Sequence, residues 1–217
     1  MNGILFVGDP HGEFGPILKR AEAMLPDAIV LLGDQTPDRP LADVLGRWAE
    51  RTWYILGNHD SDQEQYLVRH LDSMPDRNLN ARVRPVAGVG IAGLGGVFRS
   101  QVWYPPGPPK WTGRAELVRY TKPALRFRSG PALQHWTSIF PEDVQALASL
   151  HADVLVTHEA PSTHRYGFEV LDDLAWDMGV RFVVHGHHHE PCYEAELLGG
   201  IHVVGLGKGE MMEWRQG

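Results

Sequence analysis

Five short polar clusters follow apolar, strand-length runs in this chain, and this arrangement constrains its fold more than any other feature. The runs at residues 4–7, 28–32 and 53–56 are almost continuously apolar, as expected for strands that are covered on both faces. Helix-length segments with apolar residues at helical spacing follow them, at roughly 13–25, 40–50 and 61–72. The alternation predicts βαβ units and a parallel sheet, whose loops converge at the carboxyl ends of the strands.

The same pattern returns in the second half of the chain. An apolar run at 154–156 leads to Thr157 and His158, and another at 181–184 leads to the cluster at 185–189. The segments 83–94 and 193–214 instead contain short runs interrupted by glycine, which are typical of antiparallel strands and hairpins. A second sheet is therefore expected, and the length of 217 residues predicts one domain over 1–217.

Composition excludes several classes of protein. Hydrophobic residues make up 43% of the chain and charged residues 22%, which is ordinary for a soluble globular protein. No run approaches the roughly 20 apolar residues of a membrane span, so no membrane association is expected. The chain has one cysteine, Cys192, which cannot form an internal disulfide and agrees with a cytoplasmic location.

Positive charge is concentrated in one segment of an acidic chain. The net charge is −7, yet residues 77–140 contain ten Lys and Arg residues and a single acidic residue, Glu116. Within this segment, residues 98–140 show no regular spacing of apolar residues. They contain a proline-rich stretch and several aromatic residues. We expect an ordered insertion there, partly helical around 113–121 and 130–138, because the aromatic residues can anchor it. The local charge indicates a site for a small anion, and makes nucleic acid an unlikely partner.

The polar clusters supply oxygen and imidazole ligands. Two Asp, one Asn and several His residues suit divalent ions such as Mn, Fe or Zn. Each residue alone has a simpler explanation: Asp9 and Asp34 could cap helices, and single histidines are more often structural or exposed. Five clusters in one order, each after a predicted strand, favour a metal site over these alternatives.

The order Asp-x-His, Gly-Asp, Gly-Asn-His-Asp, Thr-His and Gly-His-x-His resembles the calcineurin-like metallophosphoesterase superfamily. The resemblance implies an α/β fold, a four-layer α/β/β/α sandwich of two mixed β-sheets with the metal site at the carboxyl ends of the strands. It also implies two divalent ions. By the same resemblance, Asp34 is shared by both ions, and their remaining ligands are Asp9, His11 and His189 for one ion and Asn58, His158 and His187 for the other.

The resemblance further implies the catalytic groups. A hydroxide that bridges the two ions attacks phosphorus, and His59 approaches the oxygen of the leaving group. Asp60 is expected to orient His59. Arg39 and Arg99 are candidates for contact with the substrate phosphate, because guanidinium groups bind phosphate oxygens in pairs. The spacing after Asp34 differs from that of protein phosphatases in this superfamily, since three residues instead of two precede Asp38 and Arg39 and a proline follows them.

The sequence thus predicts a metal-dependent hydrolase of small phosphomonoesters or phosphodiesters, with nucleotides among the candidate substrates. Two alternatives stay open: a non-catalytic interaction scaffold on the same fold, and a nuclease that acts on short single strands. The insertion at 98–140 could stack a base and bind a second phosphate, or its aromatic residues could simply anchor the loop.

Overall fold

The computed structural model describes residues 3–215 and contains two mixed β-sheets that pack face to face. The first sheet has the strand order β10-β1-β2-β3, and the second has the order β4-β5-β6-β7-β9-β8. The strands of the first sheet are β1 (Ile4–Val7), β2 (Ala28–Leu31), β3 (Thr52–Tyr54) and β10 (Met211–Trp214). Those of the second are β4 (Arg82–Val86), β5 (Val89–Leu94), β6 (Val154–Thr157), β7 (Phe182–His185), β8 (Tyr193–Leu197) and β9 (Ile201–Gly205).

The parallel strands have apolar residues on both faces because both faces are covered. In β1, Ile4 and Phe6 belong to the core between the sheets, whereas Leu5 and Val7 pack on the helix side. The predicted βαβαβα opening is present, with β1, β2 and β3 parallel. The helices of this part are α1 (Phe14–Met24), α2 (Leu41–Leu45), which continues as a 3₁₀ helix (Gly46–Arg51), and α3 (Glu64–Leu71).

The second sheet is covered on its outer face by two further helices, α5 (Pro141–Ala148) and α6 (Glu169–Asp177). Strands β5, β6, β7 and β9 are parallel, and β4 and β8 are antiparallel at the two edges. The result is the predicted four-layer α/β/β/α arrangement. The segment 193–214 is divided between the sheets, since β8 and β9 join the second sheet and β10 pairs with β1 in the first.

Residues 98–140 form short helices and loops around a small core of their own. Helix α4 (Arg114–Tyr120) corresponds to the helix predicted around 113–121, and a 3₁₀ helix (Leu133–Thr137) lies where a second was predicted. Val102, Leu117 and Phe140 are buried together, with Trp103 and Trp111 against them. Within residues 3–215, no helix has the length and apolar character that crossing a membrane requires.

Candidate metal centre

Loops that follow the parallel strands bring the seven predicted ligands together. Asp9 and His11 follow β1, Asp34 follows β2, and Asn58 lies in the 3₁₀ helix (Asn58–Ser61) after β3. The second sheet contributes the remaining three, His158 after β6 and the pair His187 and His189 after β7. The site therefore spans the carboxyl-end edge of both sheets, as expected for ligands of parallel α/β proteins.

Five of these seven residues have left-handed backbone conformations. Their φ angles lie between 36° and 78°, a backbone region that residues other than Gly rarely adopt. They are Asp9, His11, Asp34, His187 and His189. Each such conformation costs about 1–3 kcal/mol and persists only where surrounding structure enforces it. The concentration of this strain in one group of polar residues indicates a functional site.

The two aspartates do not cap helices. The N-termini of α1 and α2 have no side-chain cap hydrogen bond. Asp9 Oδ2 instead accepts the backbone N–H of His187 at 2.7 Å, and Asp34 Oδ1 accepts that of His59 at 2.8 Å. Both carboxylates are almost completely buried and connect loops that are distant in sequence.

The first group of candidate ligands surrounds His11 and His189. Their Nε2 atoms are 2.9 Å apart, so the two imidazoles point into the same small space. Asp34 Oδ2 is 3.7 Å from Nε2 of His11, and Asp9 Oδ2 is 3.5 Å from Nε2 of His189. Two imidazoles and two carboxylates are a donor set that suits divalent ions.

The second group is centred on His158. Its Nε2 lies 3.2 Å from Asn58 Oδ1 and 3.5 Å from Asp34 Oδ2, and His187 completes the group. The other ring nitrogen, Nδ1, donates to the backbone carbonyl of Leu32 at 2.8 Å. Such a bond orients a histidine ligand and directs Nε2 toward the ion.

Two buried oxygens in this site lack hydrogen bonds. Asp34 Oδ2, which faces both groups, and Asp9 Oδ1 are inaccessible to solvent and have no donor within hydrogen-bond geometry. An unsatisfied buried carboxylate oxygen is costly, and coordination to a cation would remove this cost. The residues present therefore fit a pair of divalent ions that share Asp34.

The pKa shifts in the metal-free protein show how strongly the site favours cations. Burial raises the pKa of Asp9 to about 7. For Asp34, burial acts in the same direction, but the positive charge of His158, together with the backbone hydrogen bond from His59, holds its pKa below the usual range. Burial would lower the pKa of His158, yet Asp34 and Asp9 outweigh it and raise that pKa to about 10. The carboxylates of Asp34 and Asp9 thus stabilise a positive charge at the position of His158.

The pKa values of three further candidate ligands, His11, His187 and His189, are lowered. Burial is the main cause that lowers the pKa of His11 and His189, and it lowers that of His187 to about 3. Neutral imidazole is the form that binds metal ions. These three rings are therefore ready to act as ligands without losing a proton.

Two glycines allow the clusters to pack this closely. A Cβ atom on Gly33 would lie 2.3 Å from Nδ1 of His158, and one on Gly57 would lie 2.2 Å from Oδ1 of Asp34. Both distances are far below van der Waals contact. The glycine that precedes each of these motifs is thus required because a ligand side chain packs directly against bare backbone.

The structure corrects the predicted partner of His59. Nδ1 of His59 lies 2.6 Å from Asp62 Oδ2, so the carboxylate that orients this ring is that of Asp62. Asp60 is fully buried and faces the other way, where it accepts the backbone N–H groups of Thr36 and Gly57 at 2.9 and 2.8 Å. The prediction that Asp60 orients His59 is wrong, because the carboxylate of Asp60 binds these two backbone N–H groups and that of Asp62, directly after the 3₁₀ helix, reaches the ring.

Glu159 is part of the site and was missed in the sequence. Its side chain is buried, Oε1 accepts the N–H of Phe98 at 3.0 Å, and Oε2 lies 3.8 Å from Nε2 of His187. Burial raises the pKa of Glu159 to about 7. Its position directly after His158 in the Thr-His cluster was the available signal.

The two candidate arginines occupy different positions. Arg99 is half-buried at the edge of the site, its Nε has no hydrogen-bond partner, and its Nη2 makes one long contact of 3.4 Å to Thr137 Oγ1. Arg39 is exposed, 3.7 Å from the neighbouring Asp38. Arg126, another basic residue of the segment, has a structural partner and donates to Val118 O at 2.6 Å.

A cavity of about 470 Å³ opens beside the second group of ligands. Two candidate ligands line it, together with Arg99, Glu159 and several aromatic rings. The full set is Asn58, Val97, Phe98, Arg99, Tyr104, Glu159, Tyr166, Phe168, His187 and His188. Arg39 is not among them. This volume lies within the range of small-molecule binding sites.

The chain is similar to known proteins in sequence and in fold. The family model described as calcineurin-like phosphoesterase matches residues 3–191. An uncharacterized protein of Haemophilus influenzae is 43% identical over 196 residues, which cover 86% of this chain and 83% of that protein. A crystal structure of a dimetal phosphatase from Danio rerio aligns with a TM-score of 0.52 and 13% identity, over 89% of this chain and 76% of the other. A further crystal structure aligns at a TM-score of 0.54 and 12% identity, over 95% and 91% of the two chains. At these identities the structural matches show a shared fold.

Proposed function

Because the chain belongs to the calcineurin-like phosphoesterase family, we propose that it is a dinuclear metal-dependent hydrolase of small phosphate esters. The observation that carries the proposal is Asp34 Oδ2, a buried oxygen without a hydrogen bond that faces imidazoles of both ligand groups. Asp9, His11, Asp34 and His189 would hold one ion, and Asp34, Asn58, His158 and His187 the other. Mn, Fe and Zn are the divalent ions that this mixture of oxygen and imidazole ligands suits.

When bound, such ions activate water for attack on phosphorus and neutralise charge on the phosphoryl oxygens. The chain's own groups perform the remaining tasks. Asp62 accepts a hydrogen bond from Nδ1 of His59 and so leaves Nε2 of that ring available for a proton transfer. His59 lies beside the first ligand group, with its ring centroid 5.4 Å from that of His11. We assign His59 the delivery of a proton to the leaving oxygen.

Arg99 is assigned to the substrate phosphate. Burial is the main cause that lowers the pKa of Arg99, and the nearby carboxylates of Asp62 and Glu159 oppose it. A guanidinium that is partly buried without a matching hydrogen-bond partner gains by binding phosphate oxygens. Asp60 then acts as a positioning residue, because its bonds to Thr36 and Gly57 hold the loop that carries Asn58 and His59.

The direct test is hydrolysis of p-nitrophenyl phosphate and of bis(p-nitrophenyl) phosphate by the purified protein, with Mn²⁺ and after chelation. We expect turnover that depends on the metal, and the ratio of the two rates gives the preference between monoesters and diesters. A pure protein that binds no metal and hydrolyses neither ester would contradict the proposal and favour the non-catalytic scaffold.

The role of His59 is tested separately with the His59→Asn variant. It is expected to lower kcat about 100-fold or more, the usual contribution of general acid catalysis, while the bound Mn²⁺ per chain is unchanged. Loss of bound Mn²⁺ in this variant would instead make His59 a ligand. The matched control is Tyr120→Phe, a conservative change at an exposed ring outside the cavity.

A further inference from the structure

Two tyrosine rings are held open to solvent at the rim of the cavity beside the second ligand group. Tyr104 is 56% exposed and Tyr166 is 62% exposed, although large aromatic side chains gain most from burial. They come from segments far apart in sequence, Tyr104 from the basic segment at 98–140 and Tyr166 from the loop between β6 and α6. Exposed rings that converge on a polar cleft mark a binding surface.

Neighbouring side chains contact both rings, and Tyr166 lies near the rings of His164 and His188, with centroids 5.7 and 6.1 Å away. Tyr104 meets the buried ring of Phe168 edge to face, with centroids 5.4 Å apart and an angle of 81°. The guanidinium carbon of Arg165 lies 4.7 Å from the centroid of Tyr166, and Arg165 is itself paired with Glu190 at 2.6 Å. These contacts restrict the motion of each ring, which lowers the entropic cost of binding a flat group to it.

The same cavity contains groups that suit a phosphate. Two candidate metal ligands, Asn58 and His187, line it, and so does Arg99. A phosphate bound at the ligand groups would therefore direct its ester substituent between these residues and the tyrosine rings. The volume of about 470 Å³ suits a nucleoside-sized substituent.

We propose that this cavity selects phosphate esters that carry a planar aromatic ring, of which nucleotides are the natural class, by stacking the ring on Tyr104 and Tyr166. The proposal rests on the proposed phosphoesterase function and names its substrate class. Stacking on aromatic side chains is tolerant of base identity, so a preference among the four bases is not required.

The test compares adenosine 5′-monophosphate with ribose 5-phosphate, which share the same scissile ester bond and differ only in the base. The methyl diesters of the two compounds form a second matched pair. With the Mn²⁺-loaded protein, we expect kcat/KM to be at least about tenfold higher for the compound with the base, which lies within the range that one stacked base contributes. Tyr104→Ala and Tyr166→Ala are expected to reduce this ratio toward one, whereas Tyr104→Phe and Tyr166→Phe retain it. Tyr120→Ala, which removes an exposed ring outside the cavity, is the control and should leave the ratio unchanged.

A second readout does not need turnover. Calorimetry gives the dissociation constants of the non-hydrolysable methylene phosphonates of the same two compounds, and the same tenfold preference and the same dependence on the tyrosines are expected. Turnover without preference for the base, or a preference that both alanine variants retain, would overturn the stacking site and leave the phosphoesterase proposal standing. A preference in binding with no hydrolysis of any ester would support the stacking site and overturn the proposed activity.

Discussion

Replacing Gly33 by Ala tests whether the second ligand group depends on bare backbone. The added Cβ would lie 2.3 Å from Nδ1 of His158, so the ring must move and lose its bond to the carbonyl of Leu32. A buried donor left without a partner costs about 1–3 kcal/mol. The backbone at Gly33, with φ at 108°, adds a further cost of about 1–3 kcal/mol for any other residue. The expected total is about 2–6 kcal/mol of unfolding free energy.

Gly88 provides the matched control. Its φ is 83°, also in the left-handed region, but a Cβ there would meet no atom within 4 Å. Gly88→Ala therefore carries the backbone cost without the clash. Urea unfolding of the metal-free proteins should show Gly33→Ala to be less stable than Gly88→Ala by about 1–3 kcal/mol.

Metal binding gives the second measurement on the same pair. Because His158 is a candidate ligand, its displacement in Gly33→Ala is expected to weaken Mn²⁺ binding by about 10- to 100-fold in calorimetry, and Gly88→Ala should bind as the parent does. Equal stability of the two variants together with normal Mn²⁺ binding by Gly33→Ala would refute the argument that this glycine is required by His158.

Three further outcomes follow from the site. Asp34→Asn is expected to weaken Mn²⁺ binding at least tenfold at both sites in calorimetry, because Oδ2 faces both ligand groups; one site that keeps parental affinity would argue against a shared carboxylate. Asp62→Asn should lower kcat about tenfold with metal content unchanged. Asp60→Ala should instead lower the unfolding free energy by about 2–5 kcal/mol, because it leaves two buried N–H groups unpaired. The reverse pattern would restore Asp60 as the partner of His59. Burial lowers the pKa of His185 to about 3, below the ordinary value of 6.5, so the unfolded chain binds the extra proton and stability falls as the pH drops from about 6.5 toward 3. Between pH 6.5 and 5 the metal-free parent should lose about 2 kcal/mol more than His185→Gln in urea unfolding, and equal losses would mean that His185 is protonated in the folded protein.

Much of the fold could be predicted because it depends on local sequence patterns. Strands β1, β2, β6 and β7 are short apolar runs between polar loops, and their residues are apolar on both faces because sheets and helices cover both. Where the pattern is weaker, the prediction was less complete. The strand β10 lies in a segment read as hairpins, and its pairing with β1 at the other end of the chain depends on contacts between residues about 200 positions apart.

In the site, too, some features could be predicted from the sequence and others could not. The motifs place His158 and Asp34 at the ends of strands that must converge, so their meeting could be anticipated from topology alone. The partner of His59 could not, because Asp60 lies in the 3₁₀ helix and Asp62 directly follows it, and only the direction of each side chain decides which carboxylate reaches the ring.

The parallel architecture and the identity of the candidate ligands could be predicted from the sequence, because apolar runs and the polar residues that end them are local features of the chain. The surroundings of those ligands instead depend on tertiary contacts. Tyr104 and Tyr166 belong to different segments, and neither carries any local signal of a shared cavity. Their convergence depends on how the segment at 98–140 packs against the loop before α6, and such long-range packing is specified by the complementarity of whole surfaces.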